Sequence, residues 1–190
     1  MYNPFIQLYI EGAERVIIER SRRARCMSIT VKHGYVRVAV PDGVSPERGR
    51  AFALSRSEWI RRHLTRIQQR QNACMELLKS LPPIVDINAA VEKIVSRCAE
   101  ISKETGLSYR RLTVRNQKSR WGSCSSTDAI SLNIKLARLP QRLLDYVIIH
   151  ELVHTKIKGH TRAFWNELDR YIEDVPLLKK ELGQYIPELL

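Results

Sequence analysis

The chain has 190 residues, of which 44% are hydrophobic and 27% are charged. These values are typical of a globular protein that can bury a core without covalent cross-links. They exclude a disordered or low-complexity chain, and the sequence contains no apolar run of the roughly 18 residues that indicate a membrane span. We therefore expect a folded protein with no membrane partner.

Basic residues outnumber acidic ones, and the excess lies mainly in the first part of the chain. The formal net charge is +12, and residues 1–80 hold 15 Lys and Arg against 7 Asp and Glu. Such an excess attracts polyanions and acidic surfaces over a range that salt shortens. It is compatible with a nucleic-acid partner and equally with a solvated basic surface, and both interpretations stay open.

The cysteines and the first residues bear on the cellular compartment. The four cysteines are scattered and form no Cys-x-x-Cys pair: Cys26, Cys74, Cys98 and Cys124. This spacing favours reduced thiols over a disulfide framework or a zinc ribbon. Residues 1–10 lack the basic segment and apolar run of a secretory signal. We therefore expect a cytoplasmic protein.

Residues 1–80 predict two hairpins followed by a helical region. Phe5–Ile10 and Arg15–Glu19 flank a glycine-containing turn and predict the first hairpin. Cys26–Val31 and Tyr35–Val40 alternate apolar and polar side chains and predict the second. Apolar residues recur at three- and four-residue spacing through residues 46–80, which predicts helix.

Leu81-Pro82-Pro83 is the clearest break in the chain, because consecutive prolines resist both helix and strand. We place the domain boundary there, with a basic β-hairpin and helix region at 1–80 and a second domain at 84–190. The mixture of helices and strands predicts an α+β fold.

The second domain predicts helices and strands in succession. One helix begins at Asp86 or Asn88, either of which can cap it, and runs to Glu104. The other predicted elements are the strands Tyr109–Arg115 and Ala129–Ile134 and helices beginning at Pro140, Thr161 and Pro176.

The segment His150-Glu151-Leu152-Val153-His154 carries the strongest chemical signal, and His160 follows six residues later. In a helix, His150 and His154 lie one turn apart on the same face, so both imidazoles can reach one metal ion. Three protein ligands and one position left for water are typical of catalytic zinc. We therefore predict one Zn²⁺ per chain, bound by His150, His154 and His160.

Glu151 lies beside the first predicted ligand, where a carboxylate can take a proton from water activated by zinc. This arrangement predicts attack of the water on a carbonyl carbon and return of the proton by Glu151 to the leaving amine. Tyr146, one turn before His150, and Arg120, in the preceding loop, are candidates for stabilising the oxyanion. For both residues the more common role is structural: a tyrosine at this spacing usually packs in the core, and an arginine in such a loop usually holds the loop.

Other interpretations of these residues stay open. The histidines could cap and pack without a metal, although burying them beside a carboxylate with no partner is costly. Cys124 could be a nucleophile or a fourth zinc ligand, but a free cysteine in a strand is more often a packing residue. His33 and His63 are isolated, and surface or core positions are the default for them.

Several segments together resemble the YgjP-like metallopeptidase family. They are Arg120-Trp121-Gly122-Ser123-Cys124-Ser125-Ser126, Leu132-Asn133, residues 145–154, Gly159-His160-Thr161 and Phe164-Trp165. The likeness extends over most of residues 20–172.

Two positions depart from the family pattern. Gly159-His160-Thr161 stands where we expect Asn-His-Ser, and Thr127-Asp128-Ala129 stands where a glycine turn is usual; neither departure removes a predicted ligand.

The resemblance implies a zincin-like catalytic domain, with His150, His154 and His160 as zinc ligands and Glu151 as base. Zincin-like enzymes commonly place an edge strand just before the metal-binding helix to align an extended peptide. We therefore expect Ala129–Ile134 to be that edge strand, and Asn133 and its neighbours to contact the substrate.

The sequence thus favours a zinc metallopeptidase that cleaves a peptide or protein substrate. The alternatives are a nucleic-acid-binding adaptor with a chiefly structural zinc site and a non-peptide amide hydrolase. The family resembles the related WLM class, whose members act on proteins attached to DNA. By that analogy, we hypothesise that residues 1–80 bring polyanion-associated proteins to the catalytic cleft.

Overall fold

The computed structural model describes residues 6–10, 13–32 and 35–190. Parts of the two predicted hairpin turns, the predicted strand residue Phe5 and the isolated His33 lie outside these residues. The chain divides into two compact units, Met1–Asn72 and Ala73–Leu190. Helices and small sheets together confirm the predicted α+β class. The domain boundary predicted at Leu81-Pro82-Pro83 remains a prediction.

The first unit contains a four-stranded sheet. Its strands are β1 (Ile6–Ile10), β2 (Ala13–Ser21), β3 (Ser28–Lys32) and β4 (Tyr35–Pro41). The pairs β1–β2 and β3–β4 are antiparallel, as the two predicted hairpins require. Parallel pairing of β2 with β4 joins the hairpins and gives the order β1-β2-β4-β3.

Two helices follow this sheet where one helical region is predicted. Helix α1 spans Pro46–Ser55 and helix α2 spans Ser57–Lys79. Pro46 suits the first turn of α1, since its fixed backbone angle is already helical there. Gly49 brings α1 close to the sheet, because a Cβ at this position would lie 2.6 Å from a methyl carbon of Val40. The boundary between the two units falls within α2.

The second unit begins its regular structure with helix α3, Ile87–Thr105. Of the two predicted capping residues, Asp86 is the N-cap, and its side chain accepts hydrogen bonds from the backbone of residues 88 and 89. Gly106 ends the helix at φ 70°, a left-handed conformation that favours glycine. Both ends of α3 therefore follow from local sequence.

A three-stranded sheet lies beside α3 and corrects one expectation. Its strands are β5 (Arg111–Arg115), β6 (Gly122–Cys124) and β7 (Ala129–Asn133). The order is β5-β7-β6, with β5–β7 parallel and β6–β7 antiparallel. The prediction that Ala129–Ile134 is an edge strand is wrong, because β7 has a partner on each side. The edge strand beside the helix that carries His150 and His154 is β6. Its three residues are too few for the sequence pattern to indicate a strand.

The remaining elements surround the histidine motif. They are a 3₁₀ helix (Ile134–Arg138) and the helices α4 (Gln141–Lys156), α5 (Arg162–Leu168) and α6 (Val175–Leu182). Helix α4 lies in the core of this unit, and most of its residues are buried. It packs against α3, β6, α5 and α6. Among the described residues, every helix is too short or too polar to cross a lipid bilayer.

Candidate metal centre

Three imidazoles converge at the C-terminal end of α4. His150 and His154 lie on α4, and His160 follows in the turn before α5. The Nε2 atom of His160 lies 3.0 Å from Nε2 of His150 and 3.1 Å from Nε2 of His154. One potential ligand atom from each residue lies within 4.8 Å of the others. The structure thus brings together the three histidines that the sequence spacing suggests as ligands.

The hydrogen bond of His154 fixes which of its ring nitrogens carries the proton. Its Nδ1 lies 2.9 Å from the backbone oxygen of Ile157. A carbonyl can only accept, so Nδ1 donates and Nε2 keeps a free lone pair facing His160. This arrangement is typical of a metal-binding histidine whose second nitrogen is held by the protein.

Burial keeps two of these imidazoles neutral. It lowers the pKa of His150 to about 3, with smaller contributions from the repulsion that a protonated His150 would meet from His154, His160 and Lys179. Burial also lowers the pKa of His154, and this effect outweighs the opposing hydrogen bond to Ile157. Neutral imidazole is the form that binds a metal ion, so burial prepares both side chains as ligands at neutral pH.

The histidine cluster fits a zinc ion in number, type and spacing. Ligand nitrogens around one tetrahedral zinc, each at about 2.1 Å, are separated by about 3.4 Å. The observed Nε2 separations of 3.0 and 3.1 Å are close to that value. Within the described residues, Nδ1 of His150 is buried without a hydrogen-bond partner, so no hydrogen bond at this nitrogen ties the ring to the rest of the protein. Imidazole is a common ligand of zinc and of neighbouring transition metals.

Glu151 lies next to this cluster, packed on the backbone of β6. It is 6% exposed. A Cβ atom built on Gly122 would lie 2.6 Å from Oε1 of Glu151 and 2.7 Å from its Cγ. Burial raises the pKa of Glu151 to about 7, and the positive charge of Arg120 opposes that rise. The carboxyl group can therefore gain or lose a proton near neutral pH.

Asn133 holds the loop that carries Arg120. It is fully buried, and its Nδ2 donates to the backbone oxygens of Gln117 and Arg120, both at 2.8 Å. Its backbone N–H donates to the oxygen of Trp121 at 2.8 Å. The Arg120 side chain is exposed and acts on Glu151 through its charge. The structure thus places Asn133 beneath the loop and Arg120 at its surface.

Tyr146 lies one turn before His150, as its position in the sequence predicts. The two rings are 5.9 Å apart, and Tyr146 is 5% exposed. Burial, and to a smaller extent the negative charge of Glu151, raises the pKa of Tyr146. The ring also lines an open groove of about 480 Å³ together with residues of α3 and α6.

Two aromatic side chains of α5 complete the surroundings of the imidazoles. Phe164 is fully buried and stacks on His154 with a centroid distance of 4.4 Å. Trp165 stacks on His160 at 5.7 Å. The ammonium of Lys179, on α6, lies 4.7 Å from the centroid of Trp165. The periodicity of α5 predicts a helix but gives no sign that its aromatic residues contact the histidines.

Cys124 lies at the end of β6 and is partly buried. Burial, the largest influence, raises the pKa of its thiol, which therefore stays protonated at neutral pH. Lys158 lies nearby, with its ammonium 2.5 Å from Asp128 and 2.9 Å from the backbone oxygen of Ser125. Cys124 is outside the group of potential ligands formed by the histidines.

A central helix with His-Glu-x-x-His, a third histidine and a small sheet beside them are the features expected of a metallopeptidase domain. The family model of the YgjP-like metallopeptidase domain matches residues 87–185, which is just over half of the 190 residues. The chain therefore belongs to the YgjP-like metallopeptidase family, and the predicted family and metallopeptidase class are confirmed.

Comparisons with other proteins give further matches among solved structures. One is the metallopeptidase zymogen jannalysin of Methanocaldococcus jannaschii, with 28% identity and a TM-score of 0.43 over 48% of this chain and 94% of that chain. Another is the metallopeptidase zymogen abylysin of Pyrococcus abyssi, with 21% identity and a TM-score of 0.40 over 46% and 86% of the two chains. No curated protein sequence matches the chain significantly.

Proposed function

We propose that the protein is a zinc peptidase in which His150, His154 and His160 bind the metal and Glu151 is the general base. The observation that carries this proposal is the convergence of three imidazole nitrogens beside a buried carboxyl group whose pKa is about 7. When bound, zinc supplies positive charge that acidifies water and polarises the substrate carbonyl.

In this proposal, Glu151 transfers the proton, and its neighbours hold the reacting side chains in place. Glu151 takes a proton from the attacking water and passes it to the leaving amine, so its carboxylate is regenerated at the end of the cycle. Gly122 leaves room for the carboxylate to lie against β6. The hydrogen bond from His154 to Ile157 keeps its ring oriented.

Arg120 is the proposed contact to the transition state, and Tyr146 and Asn133 are the proposed positioning residues. Arg120 is exposed at the side of Glu151 and can donate to a developing oxyanion. Tyr146 packs beside His150 and is almost fully buried, so its contribution is to the position of that ring. We propose that Asn133, also buried, acts on the substrate indirectly by fixing the Arg120 loop.

The substitution Glu151→Gln tests the role of Glu151 as general base separately from metal binding. The amide keeps the size of the side chain but cannot accept the proton, so we expect kcat/KM on a quenched peptide mixture to fall by about 10²- to 10⁴-fold. The metal content should remain that of the wild type. Glu92→Gln, on the exposed face of α3, is the matched control and should keep full activity. Unchanged hydrolysis by Glu151→Gln would refute its role as base.

A second candidate function, nucleic-acid binding, concerns the first unit alone. Residues 1–72 hold 14 Lys and Arg against 6 Asp and Glu. An open groove of about 320 Å³ there is lined by Met27, Ser28, Ile29, Phe52, Arg56 and Trp59. Trp59 is 41% exposed, and aromatic faces beside arginines can stack unpaired bases. These features support the polyanion partner suggested by the charge.

Filter binding with single- and double-stranded DNA across a salt series tests this second function. The affinity should fall steeply as salt rises, because phosphate contacts release counterions. Trp59→Ala should weaken binding to single strands more than to duplexes, whereas Lys103→Ala on α3 should change neither. Absence of binding at low salt would rule the function out.

A further inference from the structure

A cation lies beside the histidine cluster on the α6 side. The ammonium of Lys179 is 4.7 Å from the centroid of Trp165, and the Trp165 ring stacks on His160 at 5.7 Å. The charge of Lys179 is close enough to contribute to the lowered pKa of His150. Lys179 is itself exposed, so a substrate group can reach it.

A second cation lies on the β6 side. Arg120 is exposed, and its charge acts on Glu151. Its backbone oxygen is held at 2.8 Å by the buried Asn133. Because Asn133 holds the loop from its buried side, the Arg120 side chain extends from an ordered backbone.

A third nearby cation is already neutralised. Lys158 also contributes to the lowered pKa of His154. Its ammonium, however, forms an ion pair with Asp128 at 2.5 Å and donates to the backbone oxygen of Ser125 at 2.9 Å. A substrate anion would have to replace these contacts. Because Arg120 is already proposed as the contact to the oxyanion, Lys179 is, of these three cations, the one that remains for a charged group of the substrate.

We propose that the cleft selects peptides carrying a carboxylate close to the scissile bond, with Lys179 as the residue that determines this preference. The proposal rests on the proposed peptidase function. The two centroid distances place the Lys179 ammonium within about 10 Å of the His160 ring, which is the length of about three residues of extended chain. The carboxylate therefore belongs to a residue within three positions of the cleaved bond.

Such a carboxylate has two sources, an acidic side chain or the C-terminus of the substrate. Quenched peptides that differ only in Glu, Gln or Lys at one position, each made with a free C-terminus and with a C-terminal amide, distinguish them. With the zinc-loaded full chain, we expect Glu peptides to exceed Gln peptides about fivefold in kcat/KM, and more at low salt. A preference for the free acid over the amide, regardless of side chain, would identify the C-terminus as the source.

Substitutions in α6 test whether Lys179 causes the preference for acidic peptides. Lys179→Gln should bring the Glu peptide down to the rate of the Gln peptide and leave the Gln peptide unchanged. Lys179→Arg should retain the preference, and Lys180→Gln, its exposed neighbour, is the matched control. Equal cleavage of the peptides irrespective of charge, or a preference that survives Lys179→Gln, would overturn the proposal. Failure to cleave any peptide would instead refute the proposed function.

Discussion

The carboxyl group of Glu151 lies directly against the backbone of Gly122. A Cβ at position 122 would be 2.6 Å from Oε1 and 2.9 Å from Cδ of Glu151. The edge strand β6 therefore has a glycine where helix α4 places the side chain of Glu151. This contact links the Arg-Trp-Gly-Ser segment to the proposed base, although the two are about 30 residues apart in the sequence.

Gly122→Ala should impair catalysis far more than folding. The added methyl group would displace the end of a flexible side chain, and a shift of about 1 Å in a catalytic group can cost on the order of 100-fold in rate. We expect such a loss in kcat/KM with an almost unchanged melting temperature. Gly159→Ala, whose Cβ would meet nothing closer than 3.8 Å, is the control. Equal activity of the two variants would show that Glu151 needs no such space.

Asn133→Ala should lower both stability and activity. The substitution leaves the backbone oxygens of Gln117 and Arg120 without their buried donor, at a cost of about 2–3 kcal/mol in the free energy of unfolding. It also releases the loop that presents Arg120. Asn116→Ala, an exposed position in the same loop, should be nearly neutral in urea denaturation and peptide hydrolysis. Comparable losses in both variants would contradict this positioning role.

The ion pair between Arg97 and Asp145 should stabilise the packing of α3 on α4. Nε of Arg97 donates to one carboxylate oxygen at 2.8 Å and Nη2 to the other at 3.1 Å. The two side chains are 27% and 23% exposed. For this two-bond geometry we expect a coupling free energy of about 1–2 kcal/mol in a double-mutant cycle of alanine substitutions. Strictly additive effects would show that the pair contributes no coupling.

The ionisation of Glu167 should make the free energy of unfolding depend on pH in the acidic range. Hydrogen bonds from Lys156, then Tyr171 and Arg170, lower the pKa of Glu167 to about 2, and its side chain is only 14% exposed. A folded-state pKa below the ordinary 4.5 means that the ionised form stabilises the fold above about pH 4.5. This contribution is lost as the pH falls from there towards 2.

Glu167→Gln should therefore reduce the free energy of unfolding by about 1 kcal/mol at pH 7, since the exposed cationic partners are screened by solvent. The difference from the wild type should disappear near pH 2. Urea titrations of metal-free protein in the presence of chelator measure this effect without interference from the metal. Glu173→Gln, an exposed residue, provides the control. A difference that persists unchanged at low pH would contradict the assignment.

Local sequence predicts much of this fold where the determining contacts are themselves local. Asp86 and Gly106 mark the ends of α3 because a cap and a left-handed turn depend on a few neighbouring residues. His150 and His154 are brought together by the helical repeat. The hairpin pairs β1–β2 and β3–β4 likewise join segments that are adjacent in the chain.

The features missed by sequence reasoning depend on contacts between distant segments. The parallel pairing of β2 with β4 and the central position of β7 are choices among sheet arrangements that periodicity does not distinguish. Strand β6 exists because β7 supplies its hydrogen-bond partners. The contacts of Phe164 with His154 and of Lys179 with Trp165 follow from the packing of α5 and α6 on α4.

The most direct measurement of the central claim is the metal content of the full chain purified without chelator, determined by inductively coupled plasma mass spectrometry. Three converging imidazoles predict about one zinc per chain, and His154→Ala should lose most of it. A metal-to-chain ratio near zero in the wild type, with no uptake of added zinc, would contradict the account.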